Sequence, residues 1–233
     1  MKDTWNGLRV AVTGGTSGLG LALVRELLGR GARVAFVARH RDSIERVLLQ
    51  HSGAHGISGD VSHKDDIYPI AMQITGALGG LDVLINNASE LGPVPLALLG
   101  DTACEDLERA LSTNLLGPFR LTKALLGALA ASAREGRGAI VVNVSSDAAI
   151  NPYPGWGAYG ASKAALHHLS RIWNEEQAAD GVRFLSLDPG DMDTPLHALA
   201  VPDADPASLK RPETAAAELL DAVEQALRVE VVP

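Results

Sequence analysis

The sequence predicts an α/β fold built on a parallel β-sheet, and three observations carry that reading. Short apolar runs rich in β-branched residues recur at 8–12, 33–38, 81–85, 139–144 and 182–187. Longer stretches with helical spacing separate them, as at Leu19, Leu23 and Leu27 with Val24 and Leu28. A glycine-rich turn, Thr13-Gly14-Gly15-Thr16-Ser17-Gly18-Leu19-Gly20, joins the first run to the first helix, and a second run follows. Strand, glycine turn, helix and strand make a right-handed crossover unit, whose two strands lie parallel.

The elements follow in order. The strand at 8–12 leads into a helix that Gly31 ends, and 33–38 is the second strand. Asp42 is placed to cap a helix running to Leu49. A weak third strand covers 54–59. Ser62 then caps a helix with Asp65 and Asp66 in its first turn, where the dipole favours them; Pro69 is expected to break or bend it. Residues 81–85 form a fourth strand. The pattern from 101 to 131 is helical, and Pro118 should kink it by removing a donor. A fifth strand covers 139–144, a helix opens around Tyr159, and 182–187 is the sixth strand. The stretch 195–212 holds four prolines and reads as a mobile loop or short helices. A helix over 213–227 turns Leu219 and Leu220 inward, and 228–232 reads as a final edge strand.

Composition bounds the function classes. A chain of 233 residues with 46% hydrophobic and 21% charged residues fits one globular domain, 1–233, and not a disordered segment. The net charge of −8 without a basic cluster argues against nucleic acid or an anionic membrane as the main partner. A single cysteine, Cys104, excludes an internal disulfide and fits a reducing compartment. The N-terminus has no signal-peptide pattern and no apolar run is long enough to span a bilayer, so a cytoplasmic location is expected.

The chemistry gathers in one stretch, VVNVSSDAAINPYPGWGAYGASK, residues 141–163. Tyr159 and Lys163 are four apart on a helix and so share a face. An ammonium there should favour phenolate and pull the tyrosine pKa down, giving an acid/base for an alcohol or carbonyl near neutral pH. Ser146, at the end of a strand, is placed to hydrogen-bond the same oxygen. The glycine turn lets backbone N–H groups at a helix N-terminus meet a diphosphate. Its spacing is G-x3-G-x-G, and its position between strand and helix gives the pattern its weight. The second strand ends in Ala38-Arg39-His40-Arg41, where an NAD site usually carries an acid. A guanidinium suits a 2′-phosphate, which favours NADP(H); as solvated loop charges Arg39 and Arg41 would select nothing. Asp60 and Val61 are placed to flank an adenine. Asn86-Asn87-Ala88-Ser89 falls at the carboxyl end of the fourth strand, where open α/β sheets bind ligands. Asn114, on a helix rich in leucine and alanine, needs polar partners, and a site water is one candidate.

These motifs together resemble the short-chain dehydrogenase/reductase family in its compact form. The matching pieces are Thr13-Gly14-x3-Gly18-x-Gly20, Asp60-Val61, Asn86-Asn87-Ala88, Asn114, Ser146, Tyr159-x3-Lys163 and Pro189-Gly190-x3-Thr194, spanning residues 13–194. The resemblance implies a Rossmann-like, doubly wound, seven-stranded parallel sheet with helices on both faces. It implies Tyr159 as proton donor or acceptor and Lys163 as holder of the nicotinamide ribose. Ser146 would polarise the carbonyl, and Asn114 would keep a relay water. By the same resemblance Gly14, Thr16, Ser17, Gly18, Leu19, Gly20, Arg39, His40, Asp60, Val61, Asn87, Ala88 and Ser89 would contact the dinucleotide. Pro189, Gly190, Met192 and Thr194 would lie against the nicotinamide. A homodimer or homotetramer is implied, with the helix pair 102–131 and 158–179 as the shared face.

The sequence departs from the family at named places. Ser89 stands where Asn-Asn-Ala is usually followed by glycine, so its side chain would narrow the crevice or touch the ribose. Asp147 follows Ser146 without the glycine common there, and is expected to face water. No glycine-containing motif accompanies the last strand, which leaves the far sheet edge open. Tyr153, Trp156, Leu196 and His197 lie in loops expected to roof the pocket. They point to an apolar or ring-bearing carbonyl substrate, or serve as loop packing. The short 195–212 loop implies an open pocket. The expected activity is an NADP(H)-dependent carbonyl reduction, reversible, on a small-molecule carbonyl or alcohol. The competing reading is a catalytically silent dinucleotide-binding sensor or scaffold on the same fold. A sugar epimerase or dehydratase usually needs a larger substrate-binding C-terminal part.

Overall fold

The computed structural model describes residues 4–228. Six strands form one parallel sheet in the order β3-β2-β1-β4-β5-β6. They are β1 (Arg9–Thr13), β2 (Arg33–Ala38), β3 (Ala54–Ser58), β4 (Val83–Asn86), β5 (Ile140–Val144) and β6 (Arg183–Leu187). The helices are α1 (Gly18–Gly29), α2 (Arg41–Gln50), α3 (Ile67–Leu78), α4 (Cys104–Leu111), α5 (Gly117–Arg134), α6 (Gly157–Glu176), α7 (Pro195–Ala200) and α8 (Pro212–Arg228). The expected seventh strand falls at 228–232. Arg228 ends α8 instead, and 229–233 lie outside the described residues.

The central strands alternate between two apolar layers, as side chains on opposite faces of a pleat must. Val10, Val12, Val83, Ile85, Ile140 and Val142 pack with α1, α2 and α8. Ala11, Leu84 and Val141 pack with α3 and α5 on the other face. With both faces covered, these strands read as continuous apolar runs. Each large side chain so buried contributes about 1.5–3 kcal/mol. On the second face Trp173 of α6 stacks on Phe184 of β6, ring centroids 5.6 Å apart.

The order of strands sets the site. β1 is flanked by β2 on one side and β4 on the other, both parallel to it, so the order in which strands are added reverses between β1 and β4 and a crevice opens at their carboxyl ends. The glycine turn, Arg39, Asn87, Ser146 and Asp188 all leave the sheet at that end.

Several local expectations change. The helical stretch 101–131 is α4 and α5 joined by a π turn at Ser112–Leu116. Pro118 is not the kink; it sits in the first turn of α5, where a missing donor is tolerated. Pro69 likewise falls in the first turn of α3 and breaks nothing. Ser62 does not cap a helix; its hydroxyl donates to Asp60 at 2.7 Å, and a 3-10 turn at Lys64–Asp66 precedes α3. α2 starts at Arg41, with His40 in the cap position and Asp42 in the first turn. The stretch 195–212 contains α7 and a short turn at Pro206–Ser208, and its base is closed by a parallel bridge between Met192 and Lys210.

Candidate active site

β5 ends in buried Ser145, and the chain turns at Ser146 into a short 3-10 turn. Ser146 caps that turn, its Oγ accepting from the Ala148 N–H at 3.2 Å. The same hydroxyl donates to Asp147 Oδ1 at 3.2 Å, and the Tyr153 hydroxyl donates to Asp147 Oδ2 at 2.7 Å. Asp147 is exposed, as expected, but its carboxylate is tied to the serine and to a loop tyrosine.

α6 brings Tyr159 and Lys163 to the same place. Tyr159 is 8% exposed, and Trp156 packs edge-on against it with centroids 5.6 Å apart. Lys163 is 2% exposed and stands over the phenol ring, its Nζ 5.5 Å from the centroid. That ammonium donates to the Val144 carbonyl at 2.8 Å, which ties α6 to the end of β5. Burial pulls the lysine down to about 8, against the opposing field of Asp188. The phenol does not follow the sequence expectation. Burial pushes Tyr159 up from its ordinary value, with hydrogen bonds from Ser146 and Ser89 acting downward and the Asp188 and Asp147 charges upward. Lys163 points its charge at a backbone carbonyl, and desolvation dominates the phenol.

Asn114 lies fully buried inside the π turn. Its amide donates to the Glu90 carbonyl at 2.7 Å and to Ser162 Oγ at 2.8 Å, and its oxygen accepts from the Glu90 N–H at 2.8 Å. Ser162 donates in turn to the Tyr159 carbonyl at 2.6 Å. Both side-chain donors are therefore engaged within the protein. Asn114 links the β4–α4 loop to the helix that carries Tyr159.

The glycine turn has the form of an anion cradle. Ser17 stands at the cap of α1 yet makes no side-chain cap hydrogen bond, so it leaves the first-turn N–H groups without a side-chain acceptor. Gly18 adopts φ +49°, and a Cβ there would meet Thr194 Cγ2 at 3.2 Å. A Cβ on Gly20 would overlap the Gly14 carbonyl and the Asn87 amide. Thr16 and Leu19 complete the turn, and Thr194 lies over it from the far side. This backbone fits a dinucleotide diphosphate. Asn87 closes the cradle by donating to the Thr13 carbonyl at 2.8 Å, and Thr13 Oγ1 accepts from the Asn87 and Ala88 N–H groups.

The other expected residues ring this crevice. Arg39, His40 and Arg41 are exposed at the end of β2, and neither arginine has an ion-pair partner among the described residues. Asp60 Oδ1 accepts from the Ser62 N–H at 2.9 Å, and Val61 is buried with its carbonyl against Gly117. Pro189 is buried, and the Gly190 N–H donates to Asp188 at 2.9 Å. Met192 packs partly into the core, and Thr194 Oγ1 caps α7 by accepting from the His197 N–H at 3.2 Å. Trp156 and Leu196 pack on the cluster of Leu91, Ala148 and Tyr159, whereas Tyr153 stays outside on Asp147. Among the described residues no group of three or more His, Cys, Asp or Glu is arranged to hold a metal ion, and no helix is long and apolar enough to cross a membrane.

Sequence reading missed a polar layer beneath the site. The Asn86 amide donates to Asn143 Oδ1 at 2.8 Å and to Thr122 at 3.2 Å, and Asn143 donates to Ser170 at 2.8 Å. It also missed Lys210, whose ammonium donates to the Pro189 carbonyl at 3.2 Å and pairs with Glu218 at 2.7 Å. Asn143 was legible as the one polar residue in an apolar strand. Lys210 had no signal in its proline-rich stretch.

The family model for short chain dehydrogenase matches residues 9–205. The chain belongs to that family. Short-chain dehydrogenases are oxidoreductases that use nicotinamide cofactors, and this chain has the fold of the group. It is 34% identical over 203 residues to an uncharacterized oxidoreductase of Mycobacterium tuberculosis, an alignment covering 84% of this chain. The chain spans 58% of the length of that relative. Among solved structures, a 3-ketoacyl-(acyl-carrier-protein) reductase from Brucella melitensis complexed with NADH superposes with a TM-score of 0.87 at 25% identity, covering 97% of this chain and 94% of that one. An NADPH-bound carbonyl reductase from chicken fatty liver shares the fold, with a TM-score of 0.83 at 24% identity, over 94% of this chain and 92% of that one.

Proposed function

We propose that this short-chain dehydrogenase is an NADP(H)-dependent oxidoreductase that reduces a carbonyl compound to an alcohol, reversibly, with Tyr159 as general acid/base. One observation carries the reading: Tyr159 and Lys163 are both buried, one helical turn apart, at the carboxyl end of the sheet and beside Ser146. A bound dinucleotide supplies or accepts the hydride. Tyr159 gives its phenolic proton to the carbonyl-derived oxygen, or takes it back in the reverse direction. Ser146 orients the same oxygen. Lys163, down at about 8, sits near the pH at which a buried amine can hold or release a proton beside the phenol. The glycine cradle would hold the diphosphate, and Pro189, Gly190, Met192 and Thr194 would line the nicotinamide side.

The preference for NADP(H) rests on Arg39 and Arg41, two exposed guanidinium groups at the end of β2 with no ion-pair partner among the described residues, where an acid would select NAD(H). An apolar substrate side is supported by Trp156, which packs edge-on against Tyr159, and by Leu196, which packs on the same cluster of Leu91, Ala148 and Tyr159. That supports a small apolar or ring-bearing carbonyl compound. The cytoplasmic location expected from the sequence belongs to the same reading.

The test is NADPH oxidation across ketones, aldehydes and quinones, with wild type and Tyr159→Phe side by side and cofactor binding read by fluorescence. The expected result is turnover in wild type and a loss of about 10²–10⁴-fold in the variant, with binding kept. NADPH binding without turnover on any carbonyl would favour the sensor. Tight NADH binding with none to NADPH would overturn the assignment of Arg39.

A further inference from the structure

The stretch from Asp188 to Thr194 crosses from the end of β6 to the glycine turn. Thr194 marks its far end, since a Cβ on Gly18 would meet Thr194 Cγ2 at 3.2 Å. Between those ends the strap belongs to no helix or strand. The Gly190 N–H donates back to Asp188 Oδ1 at 2.9 Å, and Gly190 holds φ +77°, which glycine adopts without strain. Among the described residues, the hydrogen bonds that reach 189–193 from beyond Asp188 all come from Lys210.

Lys210 grips the strap in two ways. Its N–H donates to the Asp191 carbonyl at 3.0 Å, and its carbonyl accepts from the Asp193 N–H at 3.0 Å. Those two bonds need only its backbone. Its ammonium donates to the Pro189 carbonyl at 3.2 Å and pairs with Glu218 at 2.7 Å. The Pro189–Gly190 peptide is therefore clamped on both sides, its carbonyl by Lys210 and its N–H by Asp188. Glu218 in turn belongs to α8, whose Leu219 and Leu220 are set in the core. The Lys210 side chain thus ties an irregular strap to a packed helix. A segment ordered only when a ligand arrives weakens binding by the freedom it loses, and one anchored on folding does not. We propose that Lys210 is a positioning residue for the cofactor, holding the strap through the Pro189 carbonyl in the shape that the nicotinamide half meets. This rests on the reading of Pro189, Gly190, Met192 and Thr194 as the nicotinamide side. The adenosine half would meet β2 and the glycine turn, which none of the Lys210 hydrogen bonds reaches. Lys210 therefore acts on one half of the dinucleotide.

Isothermal titration tests this with two pairs of probes, NADPH against adenosine 2′,5′-bisphosphate and NADH against ADP. Each pair sets a whole dinucleotide beside its adenosine end, so the comparison holds whichever cofactor is preferred. The proteins are wild type, Lys210→Met, Lys210→Arg and Thr194→Ala, with circular dichroism reporting the fold of each. Lys210→Met is expected to weaken the dinucleotide about tenfold and to leave the fragment within about twofold. Lys210→Arg keeps a donor for Pro189 and a charge for Glu218, and is expected to return most of the loss. A merely structural lysine would weaken dinucleotide and fragment alike, and that result, or no loss on either, would overturn the assignment. Thr194→Ala separates the two readings. If it weakens the dinucleotide and Lys210→Met does not, the role of Lys210 fails and the nicotinamide side stands. If neither variant does, the reading of the strap fails with it. No turnover is read, so a silent carbonyl panel leaves the result unchanged.

Discussion

Asp82, at the amino end of β4, and Lys163, beyond the carboxyl end of β5, are each almost sealed from water, at 0% and 2% exposure, but their surroundings differ sharply. Arg9 reaches Asp82 through its side chain at 2.6 and 3.0 Å and through its backbone N–H at 2.7 Å. Arg137 adds a bond at 3.0 Å and Ser132 one at 2.6 Å. Hydrogen bonds from Arg9, Arg137 and Ser132 outweigh the burial and hold the Asp82 carboxyl below its ordinary range. Lys163 has a single carbonyl acceptor, and burial wins, taking it down to about 8. One end of the sheet completes its buried charge and the other leaves it short. A satisfied charge stabilises the fold; an under-satisfied one is ready to exchange a proton.

The largest expected effect breaks the satisfied end. Asp82→Asn should lower unfolding free energy by about 3–5 kcal/mol, because Arg137 would lose its counter-charge and Arg9 would keep only the exposed Glu135 carboxylate at 3.1 Å. Urea denaturation measures this, and turnover per folded molecule should stay near wild type. If the loss is below about 1 kcal/mol, the network is not what holds the amino end together.

The next effect separates the two ends by pH. Lys163 is lowered from 10.5 to about 8, so between those values the unfolded chain binds a proton that the folded one does not. Stability from this group therefore rises with pH across that window and is lost as pH falls through about 8, by about 3 kcal/mol in full. Asp82 has the carboxylate pattern. Its contribution is present above the ordinary carboxylate range and is lost in acid, as pH falls through its depressed value. Denaturant melts from acid to pH 10.5 should show both trends, with the alkaline one absent from a variant lacking Lys163.

A smaller effect belongs to the polar layer under the site. Asn143→Ala would leave the Asn86 amide and the Ser170 hydroxyl short of a partner, for a loss of about 1–3 kcal/mol on thermal unfolding. The smallest is at Lys210, half exposed at the base of the α7 segment. Lys210→Ala should change stability by about 0.2–1 kcal/mol. Because its ammonium also holds the Pro189 carbonyl, the proposed reduction should show a raised KM with kcat less affected.

The sheet was legible because strands buried on both faces stay apolar end to end, and the first layer of the site because it falls where those strands stop. Tyr159 and Lys163 announced a shared face by spacing alone. What spacing does not carry is direction and desolvation. Lys163 was expected to lower the phenol, yet its charge is turned to the Val144 carbonyl, and burial raises Tyr159. Asn114 was read as needing polar partners, with a site water as one candidate; the partners its side-chain amide meets are Glu90 and Ser162, 24 and 48 positions away, which spacing does not name. Pro118 drew attention from the π turn before it, which no single residue marks. Asp82 was invisible within its strand because its partners come from β1, from α5 and from the loop after α5.

The most direct measurement compares wild type with Lys163→Met, reading urea denaturation from pH 6 to 11 and NADPH-dependent carbonyl reduction in the same preparations. A charge held at a cost for chemistry predicts a variant more stable at pH 7 by about 1–3 kcal/mol, with the gain fading toward alkaline pH and turnover down by at least about 10²-fold. A variant less stable than wild type at pH 7, or one that keeps its turnover, would contradict the account.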